Sequence, residues 1–157
     1  MGKQNKAYYN SPIGWIEIIG EGKEVVSIKF LDEEPIHNGK IPDELTIAVT
    51  QIHEYFEGKR KEFSIPLKMT GTKFQNRVWK ELQRIPYGKT ASYKEIAVKI
   101  GNENASRAVG NANNQNNIVI VIPCHRVIGS GGKLVGFGGG LWRKEWLLNH
   151  EKPKLKI

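Results

Sequence analysis

The sequence predicts an α+β chain of two small domains, residues 1–70 and 71–157, the first mixed and the second mainly helical. Three observations carry that expectation. Alternating and β-branched stretches fill the chain before Leu31, while helical spacing dominates after Gly71. The charge changes sign between the halves: residues 1–70 hold 9 basic and 11 acidic side chains, and residues 71–157 hold 15 and 5. A length of 157 residues, 39% of them hydrophobic, supports the cores of one domain or two small ones.

In the first half, Ile13 to Ile19 is rich in β-branched residues and follows the turn formers Asn10-Ser11-Pro12, so it reads as a strand. Val26, Ile28 and Phe30 alternate as in a half-buried second strand, with Gly20 to Lys23 as the hairpin loop between them. Asp32 to Pro42 is a polar loop. Leu45, Val49, Ile52 and Phe56 then recur at helical spacing, with Asp43 near the start and Gly58 at the end. Glu62 to Leu67 is a candidate third strand.

In the second half, Thr72 to Ile85 reads as a helix with Phe74, Val78, Trp79 and Leu82 on one face, ended by Pro86-Tyr87-Gly88. Ser92 can cap a helix through Ile100, with Glu95 three residues on as its capping-box partner. A turn at Gly101-Asn102 leads to a helix from about Asn104 to Asn113. Two short helices about a glycine turn, within the basic half, read as helix-turn-helix. The second of them is lined by small residues, which allow close approach either to a ligand surface or to the first helix. Asn111 to Asn117 is an Asn/Gln-rich loop. Five consecutive β-branched residues, Ile118 to Ile122, predict a buried extended segment running into Pro123-Cys124-His125-Arg126-Val127. A glycine-rich stretch, Gly129 to Gly140, precedes a last amphipathic helix over about Leu141 to Glu151. The four tryptophans, Trp15, Trp79, Trp142 and Trp146, read as core and helix packing.

Composition narrows the function. No run of eighteen apolar residues is present, so no membrane-spanning helix is expected. The polar Met1 to Ser11 lacks an apolar signal region, so a cytoplasmic protein is expected. One Cys makes neither an internal disulfide nor a Cys-rich zinc site. The net +10 of residues 71–157 favours a polyanion, and nucleic acid ranks above a membrane because no polybasic amphipathic helix is present.

A lone Cys is usually a buried structural residue. Cys124, however, is followed at once by His125 and Arg126. A thiol with an ordinary pKa of about 8.5 needs a base or a positive field to become a nucleophile. A His supplies the base, and a carboxylate can orient that His. Neighbours on a strand point to opposite faces, so adjacency in sequence does not establish contact.

Pro123-Cys124-His125-Arg126-Val127, Ser92-Tyr93, Ser106-Arg107-Ala108-Val109-Gly110 and Trp146-Leu147-Leu148-Asn149-His150-Glu151 together resemble the methylated-DNA–protein-cysteine methyltransferases. These are the O6-alkylguanine-DNA alkyltransferases. Any one fragment is weak, but four in order at compatible spacing, from about Gly71 to Glu151, are specific. Residues before Gly71 resemble the family's less specific first domain. The resemblance implies a ribonuclease-H-like first domain and a winged helix-turn-helix-like second one.

It further implies repair by direct damage reversal. The partner would be double-stranded DNA carrying an alkylated guanine, with O4-methylthymine as a further substrate. The protein would act as a monomer, alone or cooperatively along the duplex. The target atom lies inside the duplex, so the base must be flipped out. Its alkyl group would pass to Cys124 once, irreversibly, with no cofactor and no catalytic metal. The zinc site of some relatives needs Cys ligands that residues 1–70 lack.

Roles carry over by position. Cys124 resembles the nucleophile, His125 the base acting through a water, and Glu151 the carboxylate that polarises the His. Asn116 resembles the residue bracing the turn between recognition helix and active-site segment. Tyr93 resembles the Tyr that reaches the flipped base and its phosphate. Arg107 resembles the finger filling the vacated stack, where a planar guanidinium both stacks and hydrogen-bonds. Ala105, Ser106 and Ala108 would lie along the minor groove. The main-chain carbonyls of Cys124 and Val127 would accept from the guanine amino group, and the Gly138 amide would donate to the alkylated oxygen. Phe137 stands where many relatives have Tyr, so a hydroxyl beside the alkyl pocket is absent. Asn117 replaces a common Pro, and Val119 lies where residue size gates bulky adducts.

Three other readings compete. A sensor of alkylated bases without transfer activity lacks the nucleophile, which this chain has. A Cys-His hydrolase leaves the basic half unexplained. A transcription regulator needs an effector domain for which the length leaves little room.

Overall fold

The computed structural model describes residues 4–36 and 39–152. Residues 37 and 38, within the expected polar loop, lie outside that description. The chain divides into two compact units, Met1–Thr70 and Gly71–Ile157.

The first unit is built on an antiparallel meander of β1 (Gln4–Ser11), β2 (Gly14–Glu21) and β3 (Glu24–Phe30). Both connections are tight, with Ser11 paired to Gly14 and Glu21 to Glu24. The register shifts at Ile19/Gly20, giving an irregularity in the ladder where Gly20 meets Leu45. A side chain at Gly20 would come 2.6 Å from Leu45 Cδ2, so the buried Leu45 would have to shift to admit one. A short 3₁₀ turn, Asp43–Leu45, leads into α1 (Thr46–Phe56), which buries Ala48, Val49, Ile52 and Tyr55. Ile16, Ile18 and Ile28 complete this core.

Two expectations here need correction. β1 is a full strand that the sequence pattern hides, because its residues are polar and only Ala7 and Ser11 are buried. Glu62 to Leu67 is not a strand. It makes one isolated parallel bridge, Val25 to Leu67, and Pro66 within it has no N–H to extend a ladder. Gln51 holds the segment instead, accepting from Ser64 N at 2.9 Å and donating to Ser64 Oγ at 2.8 Å.

The second unit begins with α2 (Lys73–Leu82), closed by a reciprocal capping box between Thr72 and Gln75. Its apolar face buries Val78, Trp79 and Leu82, and Trp79 Nε1 donates to the Ala112 carbonyl at 2.8 Å. α3 (Tyr93–Lys99) carries the expected Ser92/Glu95 capping box, both bonds at 3.0 Å. The chain reverses at Gly101, whose φ of +83° suits glycine, and enters α4 (Ser106–Asn114). Gly110 of α4 faces the Tyr93 ring, so the small residue serves helix-to-helix packing here. The final helix, α5, spans Leu141–Glu151. Among the described residues no helix is long and apolar enough to cross a membrane.

Ile118 to Ile122 is buried as expected but is not extended. The segment folds into turns through bonds from Ile122 N to Ile118 O and from Val121 N to Val119 O. Ile120 sits at φ +74°, a conformation that costs a β-branched residue on the order of 1–3 kcal/mol. Asn116 supports the turn, accepting from Ile118 N at 3.0 Å and donating to Ile122 O at 2.8 Å. After it, β5 (Val127–Ile128) pairs in parallel with β4 (Ala91–Ser92). The tryptophans also divide: Trp79 is buried, Trp15 and Trp146 are half-buried, and Trp142 is 58% exposed with the Arg143 guanidinium 4.6 Å from its ring centre.

Candidate active site

Cys124 opens a single 3₁₀ turn, Cys124–Arg126, rather than ending a strand. That difference decides what its neighbours can do. Successive residues on a strand face opposite ways, whereas in a 3₁₀ turn they step round one axis. His125 and Arg126 therefore both reach the last turn of α5. His125 Nε2 lies 2.7 Å from Glu151 Oε2. Arg126 donates from Nε to Glu151 Oε1 at 2.8 Å and from Nη2 to Oε2 at 3.1 Å. Its Nη1 donates to the Ile85 carbonyl at 2.8 Å, which ties the cluster to the turn after α2. The Gly88 amide donates to Glu151 Oε1 at 3.3 Å, and all three side chains are buried.

Burial by itself would raise the Glu151 carboxyl, but hydrogen bonds and charge from His125 and Arg126 outweigh it and hold the group well below the usual carboxylate range. Glu151 is thus ionised, and its oxygen beside Nε2 keeps the imidazole proton on that nitrogen. Nδ1 remains as the acceptor, and among the described residues it has no hydrogen-bond partner. Burial lowers the His125 pKa despite the opposing carboxylate, so the ring is neutral and able to take a proton.

Cys124 is 3% exposed, and burial pushes its thiol up to about 11. A side-chain contact from Asn116 and the positive charge of Lys144 oppose that shift without cancelling it. At neutral pH about one molecule in ten thousand would carry a thiolate unaided. The site thus holds a protonated thiol and, next to it in sequence, a neutral imidazole polarised by a carboxylate. No group of three or more His, Cys, Asp or Glu among the described residues is placed to hold a metal ion.

A cleft of about 500 Å³ lies between the helix-turn-helix and the glycine-rich segment, lined in part by Tyr93, Ser106, Arg107, Asn114, Val135 and Gly136. The Tyr93 hydroxyl donates across it to the Val135 carbonyl at 3.0 Å. Burial first, and then the proximity of Cys124, raise the Tyr93 phenol above its ordinary value, so it stays a donor.

Known proteins carry the same arrangement of domains. Residues 5–69 match the ribonuclease-like domain of 6-O-methylguanine DNA methyltransferase, and residues 73–153 match its DNA binding domain. A methylated-DNA–protein-cysteine methyltransferase of Mycobacterium leprae is 48% identical over 150 residues, covering 93% of this chain and 91% of its own. The protein of that name from Methanosarcina barkeri is 49% identical over 160 residues, covering 95% and 99%. The crystal structure of Mycobacterium tuberculosis O6-methylguanine methyltransferase aligns with a TM-score of 0.87 at 45% identity, over 96% of this chain and 93% of that one. A Mycobacterium tuberculosis relative solved in complex with DNA aligns at 0.86 and 47% identity, over 94% and 92%.

This chain belongs to the methylated-DNA–protein-cysteine methyltransferase family.

The methyltransferase fold buries Cys124, His125 and Glu151, with Asn116 half-buried beside Cys124. Tyr93, Ser106 and Arg107 share the adjoining cleft, with Arg107 exposed at its edge, and Ala108 is exposed on α4. Ala105 departs from its expected place: it precedes the helix as its N-cap and is buried, so its side chain lies off the exposed face. Val127 is buried on β5, Phe137 is half-buried and Gly138 is exposed in the glycine-rich segment.

Two residues escaped the sequence reading. Arg126 belongs to the motif without a role that the motif specifies, yet it donates to both oxygens of Glu151. Lys144 is fully buried and donates to the carbonyls of Val127 at 2.6 Å and Val135 at 2.8 Å, with Gly136 O at 3.5 Å. Its signal was its place in α5, where Lys144, Leu147 and Glu151 form one buried stripe at helical spacing.

Proposed function

We propose that this protein repairs alkylated DNA directly, moving the methyl group of O6-methylguanine in duplex DNA onto Cys124 in a single turnover. The observation that carries the reading is the buried Glu151–His125 pair, whose charge distribution leaves His125 Nδ1 as a proton acceptor next in sequence to the nucleophile. O4-methylthymine is the second substrate. The protein acts as a monomer and in the cytoplasm, where a free thiol stays reduced.

Base flipping brings the lesion from the stack into the cleft. Arg107 fills the gap, and Ser106 and Ala108 face the minor groove. His125 takes the thiol proton, directly or through one water. The thiolate sulfur attacks the methyl carbon, the S–C bond forms as the C–O6 bond breaks, and the electron pair leaves with guanine. The Tyr93 hydroxyl donates to the base as negative charge develops, and the proton held by His125 returns to the departing guanine. The Cys124 and Val127 carbonyls and the Gly138 amide orient the base, while Phe137 closes the alkyl pocket without adding a hydrogen bond. Removing the methyl group again would require breaking the S–C bond of a neutral thioether with a thiolate as leaving group, and no group in the site does this, so each molecule acts once.

Incubation with duplex DNA containing one O6-methylguanine, followed by intact mass and peptide mapping, tests the reading. A gain of one methylene on the Cys124 peptide, stopping at one per molecule, is expected. Lesion binding with no mass gain would favour a sensor instead.

A further inference from the structure

We propose that Lys144 is a positioning residue that holds the glycine-rich wall of the cleft in place when Tyr93 releases it to take the flipped base. The inference rests on Tyr93 serving the base as proposed above.

The Val135 carbonyl accepts two donors in the free protein, the Tyr93 hydroxyl at 3.0 Å from the cleft and Lys144 Nζ at 2.8 Å from α5. A carbonyl oxygen has two lone pairs, so both fit at once. Tyr93 cannot keep this bond and also donate to a base, because a phenol has one hydrogen to give. Substrate entry therefore removes one of the two ties on the wall, and the tie from Lys144 remains.

Lys144 suits that task. Its side chain is fully buried and its ammonium carries three hydrogens, with three carbonyl oxygens in reach. Two belong to the wall, at Val135 and Gly136. The third is Val127 of β5, the residue whose carbonyl faces the guanine amino group in the proposed pose. One cation thus sets the spacing between the wall and the edge of the active-site turn. Among the described residues no carboxylate is bonded to it, and its hydrogen bonds all run to peptide carbonyls, which suits a clamp on backbone better than an ion pair would.

Four chains test this: the parent, Lys144→Met, Tyr93→Phe and the double variant. Single-turnover transfer from O6-methylguanine duplex is measured beside affinity for undamaged duplex and the backbone order of 135–138 read by NMR relaxation. Lys144→Met should slow transfer about 10- to 100-fold, as expected for a misplaced wall, and change affinity less than about twofold. Backbone order at 135–138 should survive each single change and collapse in the double variant, since either tie suffices in the free protein. Additive losses of order, or parent-like transfer by Lys144→Met, would overturn the proposal.

The parent alone gives a second measurement should Lys144→Met fail to fold. Burial lowers the Lys144 ammonium to about 8, so the Gly136 and Gly138 amide signals should shift together with the Lys144 Cε signal as the proton is lost. Cys124 and His125 also interact with this charge, and following the Lys144 signal itself separates its titration from theirs. Amide signals that stay still while the Lys144 signal moves would overturn the clamp. A parent that gains no methyl group would instead defeat the functional reading, and the relaxation experiment would still judge the clamp.

Discussion

Glu151 meets His125 at 2.7 Å with one oxygen that also accepts from Arg126, and its other oxygen accepts Arg126 Nε at 2.8 Å. One carboxylate thereby fixes the tautomer of the base and neutralises a buried guanidinium.

Replacing that carboxylate by an amide separates the two jobs from simple packing. Glu151→Gln keeps the shape but no longer holds the proton on Nε2. Single-turnover transfer should fall by about 10²- to 10⁴-fold. The uncompensated Arg126 should also lower stability by about 3 kcal/mol or more. Transfer at the parent rate in a folded Glu151→Gln chain would remove Glu151 from the proton path.

Acid should unfold the protein through the same cluster. The folded pKa of His125 lies below its unfolded value of 6.5, so the stability tied to neutral His125 is complete above 6.5 and declines as pH falls. Glu151 adds a second loss, present above its unfolded value of 4.5 and lost as pH drops through its depressed folded value. Denaturant midpoints measured from pH 7 to about pH 2 should fall continuously, through His125 first and through Glu151 below 4.5, and Glu151→Gln should flatten the lower part of the curve. A parent curve level across this range would contradict the buried neutral imidazole.

Arg107 is exposed at the cleft edge and takes no part in the proton path. Arg107→Ala should slow repair in duplex DNA by about tenfold or more, with little effect on reaction with a free alkylated base, because only the duplex has a stack to fill. Equal losses on both substrates would count against a finger role.

Cys124→Ser should abolish transfer and retain binding to lesion-bearing duplex, since the side chain is buried and the change nearly isosteric. Titrations at two salt concentrations would show whether binding stays electrostatic in that variant. Any mass gain in Cys124→Ser would mean that another nucleophile carries the reaction.

The helices were legible in advance because capping and periodicity are local. Ser92 with Glu95 announced α3, and the stripe along Leu141–Glu151 announced α5. β1 was hidden because its polar residues pair through backbone, which leaves no side-chain pattern. The segment 118–122 misled for the opposite reason: β-branched residues favour extended backbone, yet Asn116 and the turn bonds bend them, with Ile120 driven to positive φ. At the site, Cys124, His125 and Glu151 were recoverable from motif order. That two adjacent residues share one carboxylate was not, because it depends on a 3₁₀ turn that strand-like sequence conceals. Lys144 was missed because Lys ordinarily faces water, and only tertiary packing surrounds it with carbonyls.

The carboxylate that completes the site lies 26 residues beyond His125 along the chain. Ribosomes build proteins from the N-terminus, and domains form as units once their segments have emerged. A nascent chain that has reached Cys124 but not α5 has a thiol, an imidazole of undefined tautomer and an arginine without its counter-charge. The order of synthesis therefore puts the thiol and imidazole in place before their counter-charge, and the buried cluster of His125, Arg126 and Glu151 is complete only once α5 has been made.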